Sequence, residues 1–423
     1  MSYRVLIVAH GHPELSPGGA EIASYLLFRG LQRRDGVEAY YLARTGDAAR
    51  RRDDTPFSAF RGRANEVLIF TDETDPFLFS QRSSELIDRF AALVVRIAPN
   101  VVHFHHYTQL GLELIAAVGR LDPQIRIVVT LHEYLAICHH YGQMVKTGTM
   151  ALCTAASPHD CAECFNSITA AEFLRRELFI RAHFEKVDLF VAPSEFLRQR
   201  YIAWGIPAWQ IAVLDNATPE ARPPPPRPLA AGERRAVFGF FGQINPYKGL
   251  LQLLSAFVLL DRFPPAATRG LRLVVHGANL ELNHPQFVEA IKQLLARSAQ
   301  RVHFAGPYHS RDQYNLMAAI DWVVVPSVWW ENSPLVIEEA LAHRRPVICS
   351  NIGGMAEKVR PGKDGYHFAF GNPFELASLL VRLAADEGVW DQLQSTIRVP
   401  TPIDVAVSQH LRLYHDGLFA VAS

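Results

Sequence analysis

Short runs of β-branched and aliphatic residues alternate with longer amphipathic segments along almost the whole chain. This alternation predicts parallel sheets covered by helices on both faces. In the first half, strands are expected at 4–9, 38–42, 67–70, 101–104, 126–131, 189–192 and 211–214. Helices are expected at 18–34, 84–97 and 170–186, where apolar residues recur at three-and-four spacing. Residues 44–63 lack periodicity and read as an exposed, arginine-rich loop. Residues 218–235 hold Pro219, Pro223 to Pro226 and Pro228, can form neither helix nor central strand, and are expected to be a linker. Beyond them the alternation resumes, with strands at 236–241, 271–276, 301–304, 322–326, 346–350 and 366–370. Helices follow at 249–261, 285–298, 311–320, 332–343 and 373–385, and Gly353-Gly354 reads as a short turn. The expected fold class is α/β: two doubly wound, Rossmann-like domains, 1–217 and 236–403, facing each other across a cleft. A C-terminal helix at about 404–423 is expected to pack back on the first domain. Sheets of this kind bind ligands at the carboxyl ends of their strands.

Composition narrows the function. Lysine plus arginine number 42 and aspartate plus glutamate 42, so the formal net charge is zero. Affinity for a phosphate backbone comes mainly from excess lysine and arginine, so no nucleic-acid partner is expected. No apolar stretch approaches the roughly 20 residues that cross a bilayer. The opening run around Val5 to Val8 is too short for a signal-peptide core and reads as a buried strand. Five cysteines without an export signal point to a reducing, cytoplasmic setting. Residues 29–63 carry nine arginines against five acids, a local excess that suits either a solvated loop or attachment to an anionic membrane face.

Several loops at expected strand ends carry chemistry. Pro17-Gly18-Gly19-Ala20-Glu21 opens a helix after the first strand, and glycines there let amides approach an anion at the helix N-terminus. The spacing is not the three-glycine dinucleotide fingerprint, which disfavours a nicotinamide dehydrogenase. In the second domain, Gln243-Ile244-Asn245-Pro246-Tyr247-Lys248-Gly249 sets a lysine on a loop entering a helix, where an ammonium can neutralise a departing diphosphate. Glu331 and Glu339 stand eight positions apart; with Glu331 at a helix start, Glu339 lies about two turns deeper. The pair can then hold different parts of an extended ligand, with the amides of Asn332 and Ser333 facing what lies between. His103, His105 and His106 fall at a strand end; hydrogen-bonded structural histidines are the ordinary reading, and proton handling by His105 or His106 is the functional one.

Taken together, the Gly18-Gly19 loop, residues 243–249, the glutamate pair followed by Ala340, and Ile352-Gly353-Gly354-Met355-Ala356-Glu357 resemble the family 4 retaining glycosyltransferases of the GT-B fold. The resemblance implies transfer of a sugar from a UDP- or GDP-sugar to an acceptor hydroxyl, with retention at the anomeric carbon, in bacterial glycan biosynthesis. It implies that Glu331, Lys248 and His132 serve catalysis, Glu331 contacting the donor sugar, Lys248 the diphosphate and His132 lying beside the sugar. Donor contacts are implied for Gly18, Gly19, Gln243, Asn332, Ser333, Leu335 and Glu339, the last at the ribose hydroxyls. No metal is implied for catalysis. A glycan or lipid-linked acceptor is implied, and with it peripheral attachment to the inner face of the cell membrane. Gln243 departs from the pattern, which has arginine there; glutamine donates hydrogen bonds but brings no charge. That departure keeps two other readings open: a sugar-nucleotide-binding protein without turnover, and a GT-B epimerase or phosphorylase.

Residues 137–165 are rich in thiols. Cys138, Cys153, Cys161 and Cys164 are separated by fourteen, seven and two residues, and His139 and His140 adjoin the first. The close pair is of the kind that chelates zinc, and a long aperiodic loop needs something to order it, so a structural zinc is expected here; buried thiols or a labile disulfide are the plainer alternatives.

Overall fold

A computed structural model of the protein describes residues 2–47, 49, 54–71, 74–219 and 222–417. The chain forms two compact units, Met1–Pro219 with Thr401–Ser423, and Glu220–Pro400.

In the first unit the strands are β1 (Tyr3–Ala9), β2 (Val37–Thr45), β3 (Phe57–Ala59), β4 (Glu66–Phe70), β5 (Thr74–Asp75), β6 (Ser80–Gln81), β7 (Val101–Phe104), β8 (Arg126–Thr130), β9 (Leu189–Ala192) and β10 (Ile211–Val213). Eight of them make one sheet in the order β10-β9-β8-β7-β1-β2-β4-β3, while β5 and β6 pair separately. All neighbours in the large sheet are parallel except β3 on β4. Val5, Leu6, Ile7, Val8 and Ala9 are all buried, as expected for a strand covered on both faces.

Helix Ile403–Asp416 belongs to this unit through its packing on helix Gly19–Leu31. Side chains of the C-terminal helix pack on the Gly30 backbone, where a Cβ would stand 2.5 Å from Val407 Cγ2 and 2.9 Å from Ile403 Cγ1. Leu27, Phe28, Leu31, Val407 and Leu413 share one core. Arg34 donates to the Asp404 carbonyl at 2.6 Å, and Arg126 to those of Leu413 at 3.1 Å and Tyr414 at 2.7 Å.

In the second unit β11 (Val237–Gln243), β12 (Arg272–Ala278), β13 (Val302–Gly306), β14 (Trp322–Val325), β15 (Val347–Ser350) and β16 (Gly365–Phe368) form a wholly parallel sheet. Its order is β13-β12-β11-β14-β15-β16, which reverses direction between β11 and β14. A reversal opens a crevice at the carboxyl ends of the two strands flanking it. The proline-rich stretch is tied to this unit: buried Asp321 accepts from Arg227 at 3.0 Å and Arg235 at 3.2 Å, and Arg345 donates to the Pro225 carbonyl at 2.9 Å.

Several elements differ from the sequence expectation. Within 44–63, β2 runs on to Thr45 and a short antiparallel β3 forms, anchored by buried Phe60; residues 48 and 50–53 lie outside the described residues. The helix expected at 332–343 begins only at Leu335, because Pro334 biases Ser333 away from helical dihedrals and sits at the N-cap itself. Gly353-Gly354 is not a free turn but the start of helix Gly353–Lys358. The expected helix 311–320 shrinks to Gln313–Ala318 after a 3-10 turn. Helices Glu113–Leu121 and Glu195–Trp204 fill intervals between expected strands, whereas Val389–Thr396 has no counterpart in the sequence expectation. Among the described residues no helix is long and apolar enough to cross a membrane.

Candidate functional site

The β11/β14 reversal carries the residues singled out in the second unit. Gln243 ends β11 and is exposed. Asn245 Oδ1 accepts the amides of Tyr247 at 3.0 Å and Lys248 at 3.1 Å, which closes a tight turn and sets Lys248 over the next loop. Gly249 has φ 74°, and a Cβ there would lie 1.8 Å from the Pro326 carbonyl oxygen, so the loops after β11 and β14 meet backbone to backbone. Lys248 Nζ lies 2.7 Å from Glu331 Oε1. The same oxygen accepts the Ser327 hydroxyl at 2.8 Å and the Trp329 indole N–H at 2.9 Å. Glu331 is only 5% exposed, and its carbonyl accepts the Gly354 amide at 2.7 Å. A Cβ on Gly354 would come within 1.4 Å of the Asn332 carbonyl oxygen. Glu331 is therefore held by ion pairing at its side chain and by helix Gly353–Lys358 at its backbone.

Glu331 lies in the loop before the helix rather than at its start, which corrects the expected two-turn spacing on one helix. Asn332 is buried, and Ser333 Oγ is buried with no hydrogen-bond partner among the described residues. Leu335 opens the helix, and Glu339 sits one turn on, half-buried, with Gln313 bonded to its side chain and Tyr308 nearby. Burial pushes the Glu339 carboxyl up, against the Gln313 hydrogen bond. Its neighbour Glu338 points elsewhere, to Arg398 at 2.5 Å.

In the first unit the sheet order reverses between β1 and β7, and the histidines gather there. Gly18 is the N-cap of helix Gly19–Leu31, and its missing Cβ would stand 2.4 Å from Glu21 Oε2. Glu21 Oε1 lies 3.1 Å from His10 Nε2. Burial works to raise the Glu21 carboxyl, but the His10 hydrogen bond and charge outweigh it and hold the group below the ordinary range. His10 packs tilted against His106 at 4.2 Å between centroids, and His132 Nε2 meets His105 Nδ1 at 3.0 Å. His103 joins Thr130 and Tyr414, both at 2.7 Å. Burial, reinforced by neighbouring imidazoles, holds His105 and His106 well below the ordinary value and takes His132 down to about 3. Glu133, pushed by burial up to about 8, has Oε1 3.5 Å from His106 Nε2.

Sequence reasoning missed Glu21, His10, Ser327, Trp329, Tyr308 and Gln313. Glu21, three residues after an N-cap, had a detectable spacing. Tyr308 and Gln313 carried no signal, since only folding brings them to Glu339. Among the arginines of 29–63, Arg61 and Arg63 pair with Glu14 at 2.5 and 2.7 Å, and Arg63 with Glu66 at 2.8 Å. Among the described residues, potential metal ligands gathered within 4.8 Å of one another are His12, Glu14 and Glu66, and Arg63 already occupies both carboxylates. The four clustered cysteines line one pocket, although no three of their sulfurs come that close.

Residues 17–222 match the family model Glycosyltransferase Family 4, and residues 235–386 match Glycosyl transferases group 1. The two matches follow one another along the chain, one on each unit, and the fold is GT-B. Among similar proteins is the lipopolysaccharide 1,2-N-acetylglucosaminetransferase of Salmonella typhimurium, 30% identical over 188 residues, covering 42% of this chain and 48% of that protein. Another is the D-inositol 3-phosphate glycosyltransferase of Nocardioides sp., 27% identical over 304 residues, 70% of this chain and 61% of the relative. The chain thus spans about half to three-fifths of the length of these relatives. The GT-B fold is shared with Anabaena HepE in complex with UDP and glucose (TM-score 0.63, 17% identity, 97% of this chain and 98% of that chain). It is shared also with sucrose-phosphate synthase from Thermosynechococcus elongatus (TM-score 0.70, 20% identity, full coverage of both).

Proposed function

We propose that this GT-B chain transfers a sugar from a nucleoside diphosphate sugar to an acceptor hydroxyl with retention of anomeric configuration. The observation that carries the reading is the Lys248–Glu331 pair, held between the loops after β11 and β14 at the point where the sheet reverses. In this reading the diphosphate takes Lys248 as its counter-charge, and Glu331, released from part of that pairing, accepts hydrogen bonds from the donor sugar. Glu339, with Gln313 and Tyr308 beside it, holds the ribose hydroxyls, and the unpartnered Ser333 hydroxyl and the Asn332 amide face the phosphates. The first unit binds the acceptor. Catalysis needs no metal. A glycan or lipid-linked acceptor suits the lipopolysaccharide and inositol relatives, and a lipid-linked one would bring the protein to the inner membrane face.

The test is a screen of UDP-, GDP- and ADP-sugars by thermal shift, followed by proton NMR of the product made from the stabilising donor. Retained configuration is expected. Inverted product removes the assignment. Gln243, exposed and uncharged where the resembling family has arginine, favours a second reading, in which the protein binds the donor without turning it over. Tight donor binding with neither transfer nor hydrolysis would establish it.

A further inference from the structure

Residues 137–165, between β8 and helix Ala170–Phe184, hold none of the residues assigned to the proposed donor site, yet they concentrate the chain's thiols. Cys138, Cys153, Cys161 and Cys164 all line one pocket, together with His139, His140 and Asp160, and all four are thiols. Three separate local structures bring them there. Cys138 follows a tight turn in which the Tyr134 carbonyl accepts its amide at 2.7 Å. Cys153 closes a small hairpin: Val145 bridges Leu152, Lys146 N donates to the Ala151 carbonyl at 2.9 Å, and Cys153 N to that of Met144 at 2.8 Å. Cys161 and Cys164 sit three apart on helix Pro158–Cys164, one turn from each other on the same side. Thr147 Oγ1 donates to the Cys164 carbonyl at 2.6 Å and so ties the hairpin to that helix.

Two further observations concern charge. The amides of His140 and Met144 donate toward the Cys138 sulfur, and the Ser157 amide toward that of Cys161. Such N–H donors are what a metal-bound thiolate collects in its outer shell, whereas a neutral thiol is a weak acceptor. Beside the pocket lies Arg176, only 3% exposed, which donates to the carbonyls of Phe77 at 2.9 Å, Ala136 at 2.8 Å and Leu135. These partners are all uncharged carbonyl oxygens, so the hydrogen bonds bring the guanidinium no counter-charge. Burying a cation beside neutral groups is costly. A zinc ion held by four thiolates carries a net charge of two minus, and would give Arg176 its counter-charge while leaving the amide donors anions to bond.

We propose that Cys138, Cys153, Cys161 and Cys164 bind one structural zinc ion that orders the segment between β8 and helix Ala170–Phe184. Zinc would draw the sulfurs together, since thiolates about 2.3 Å from one ion in a tetrahedron stand about 3.8 Å apart. The hairpin and the two-turn helix can make that adjustment as small bodies, because residues 153–157, which join them, have no regular structure. Each thiol releases its proton as the metal enters, so binding and local folding are one event.

The test uses the full chain, expressed with zinc in the medium and purified without chelators or metal-affinity resin. Plasma mass spectrometry should find about one zinc per chain, and Cys161→Ser/Cys164→Ser about none. Because that variant can fail to fold, the unaltered protein supplies a second readout. Removing zinc with a chelator should make these four cysteines reactive to maleimide, mapped by peptide mass spectrometry, and adding back zinc ion should protect all four again. Absence of zinc, iron with inorganic sulfide in its place, a disulfide between any two of the four, or labelling that ignores zinc would each overturn the proposal.

Discussion

One carboxylate oxygen, Glu331 Oε1, receives the Lys248 ammonium, the Ser327 hydroxyl and the Trp329 indole. Three donors on a buried acceptor fix both partners in place before any ligand arrives, so the cost of orienting a flexible lysine is met in folding. Lys248→Ala should lower turnover by about 10²- to 10³-fold with a smaller change in donor affinity, because the charge it meets grows as the glycosidic bond breaks. Single-turnover kinetics check this; a variant within a few-fold of the parent assigns the role to another cation. Glu339 differs in kind, as its partners Gln313 and Tyr308 are uncharged. Glu339→Gln should raise KM for the donor more than it lowers kcat, since a ribose contact is made equally in ground and transition states. Calorimetry showing equal donor affinity would remove the ribose assignment.

At the scale of elements, loops touching backbone to backbone build the second unit's site. Gly249 against Pro326 and Gly354 against Asn332 leave no room for a Cβ, so the loops after β11, β14 and β15 are joined through glycines rather than side chains. Gly354→Ala should destabilise the second unit by about 1–3 kcal/mol, the usual cost of overpacking, and weaken donor binding beyond what stability explains, because it displaces the main chain that holds Glu331. Thermal unfolding with and without the stabilising donor separates the two effects. A variant with parental donor affinity would show that Glu331 is placed by its side-chain partners alone. In the first unit the comparable device is Gly30, which lets helix Ile403–Asp416 lie directly on helix Gly19–Leu31.

For the molecule as a whole, proton uptake ties stability to pH. His103, His105, His106 and His132 are held neutral by burial well below their ordinary range, and His410 is taken down to about 4. The unfolded chain binds protons at these sites from about pH 6.5 downward while the folded chain does not, so stability falls as pH drops from about 6.5 toward about 4. His410→Gln should flatten that fall, measured as the urea midpoint against pH; an unchanged slope would show that His410 does not contribute. The two parallel sheets, several strand boundaries such as 101–104 and 189–192, and helix 373–385 were legible because alternation between short apolar runs and amphipathic segments is written locally in the chain. Lys248 and Glu331 stand out in the sequence because their loops follow expected strands, and Glu339 because it lies eight positions beyond Glu331. Pro334 was readable too, yet its effect on Ser333 was overlooked, and so Glu331 was placed on a helix. What no local pattern held was the company these residues keep. Ser327 and Trp329 on Glu331, Tyr308 and Gln313 beside Glu339, and Glu21 folded back on Gly18 are side-chain meetings that follow from packing. The sequence by itself determined the elements and their alternation, since hydrophobic periodicity acts within one segment at a time. Only the tertiary structure decided the strand order that reverses at β11 and β14 and at β1 and β7, because pairing among distant strands depends on how all the segments share one core.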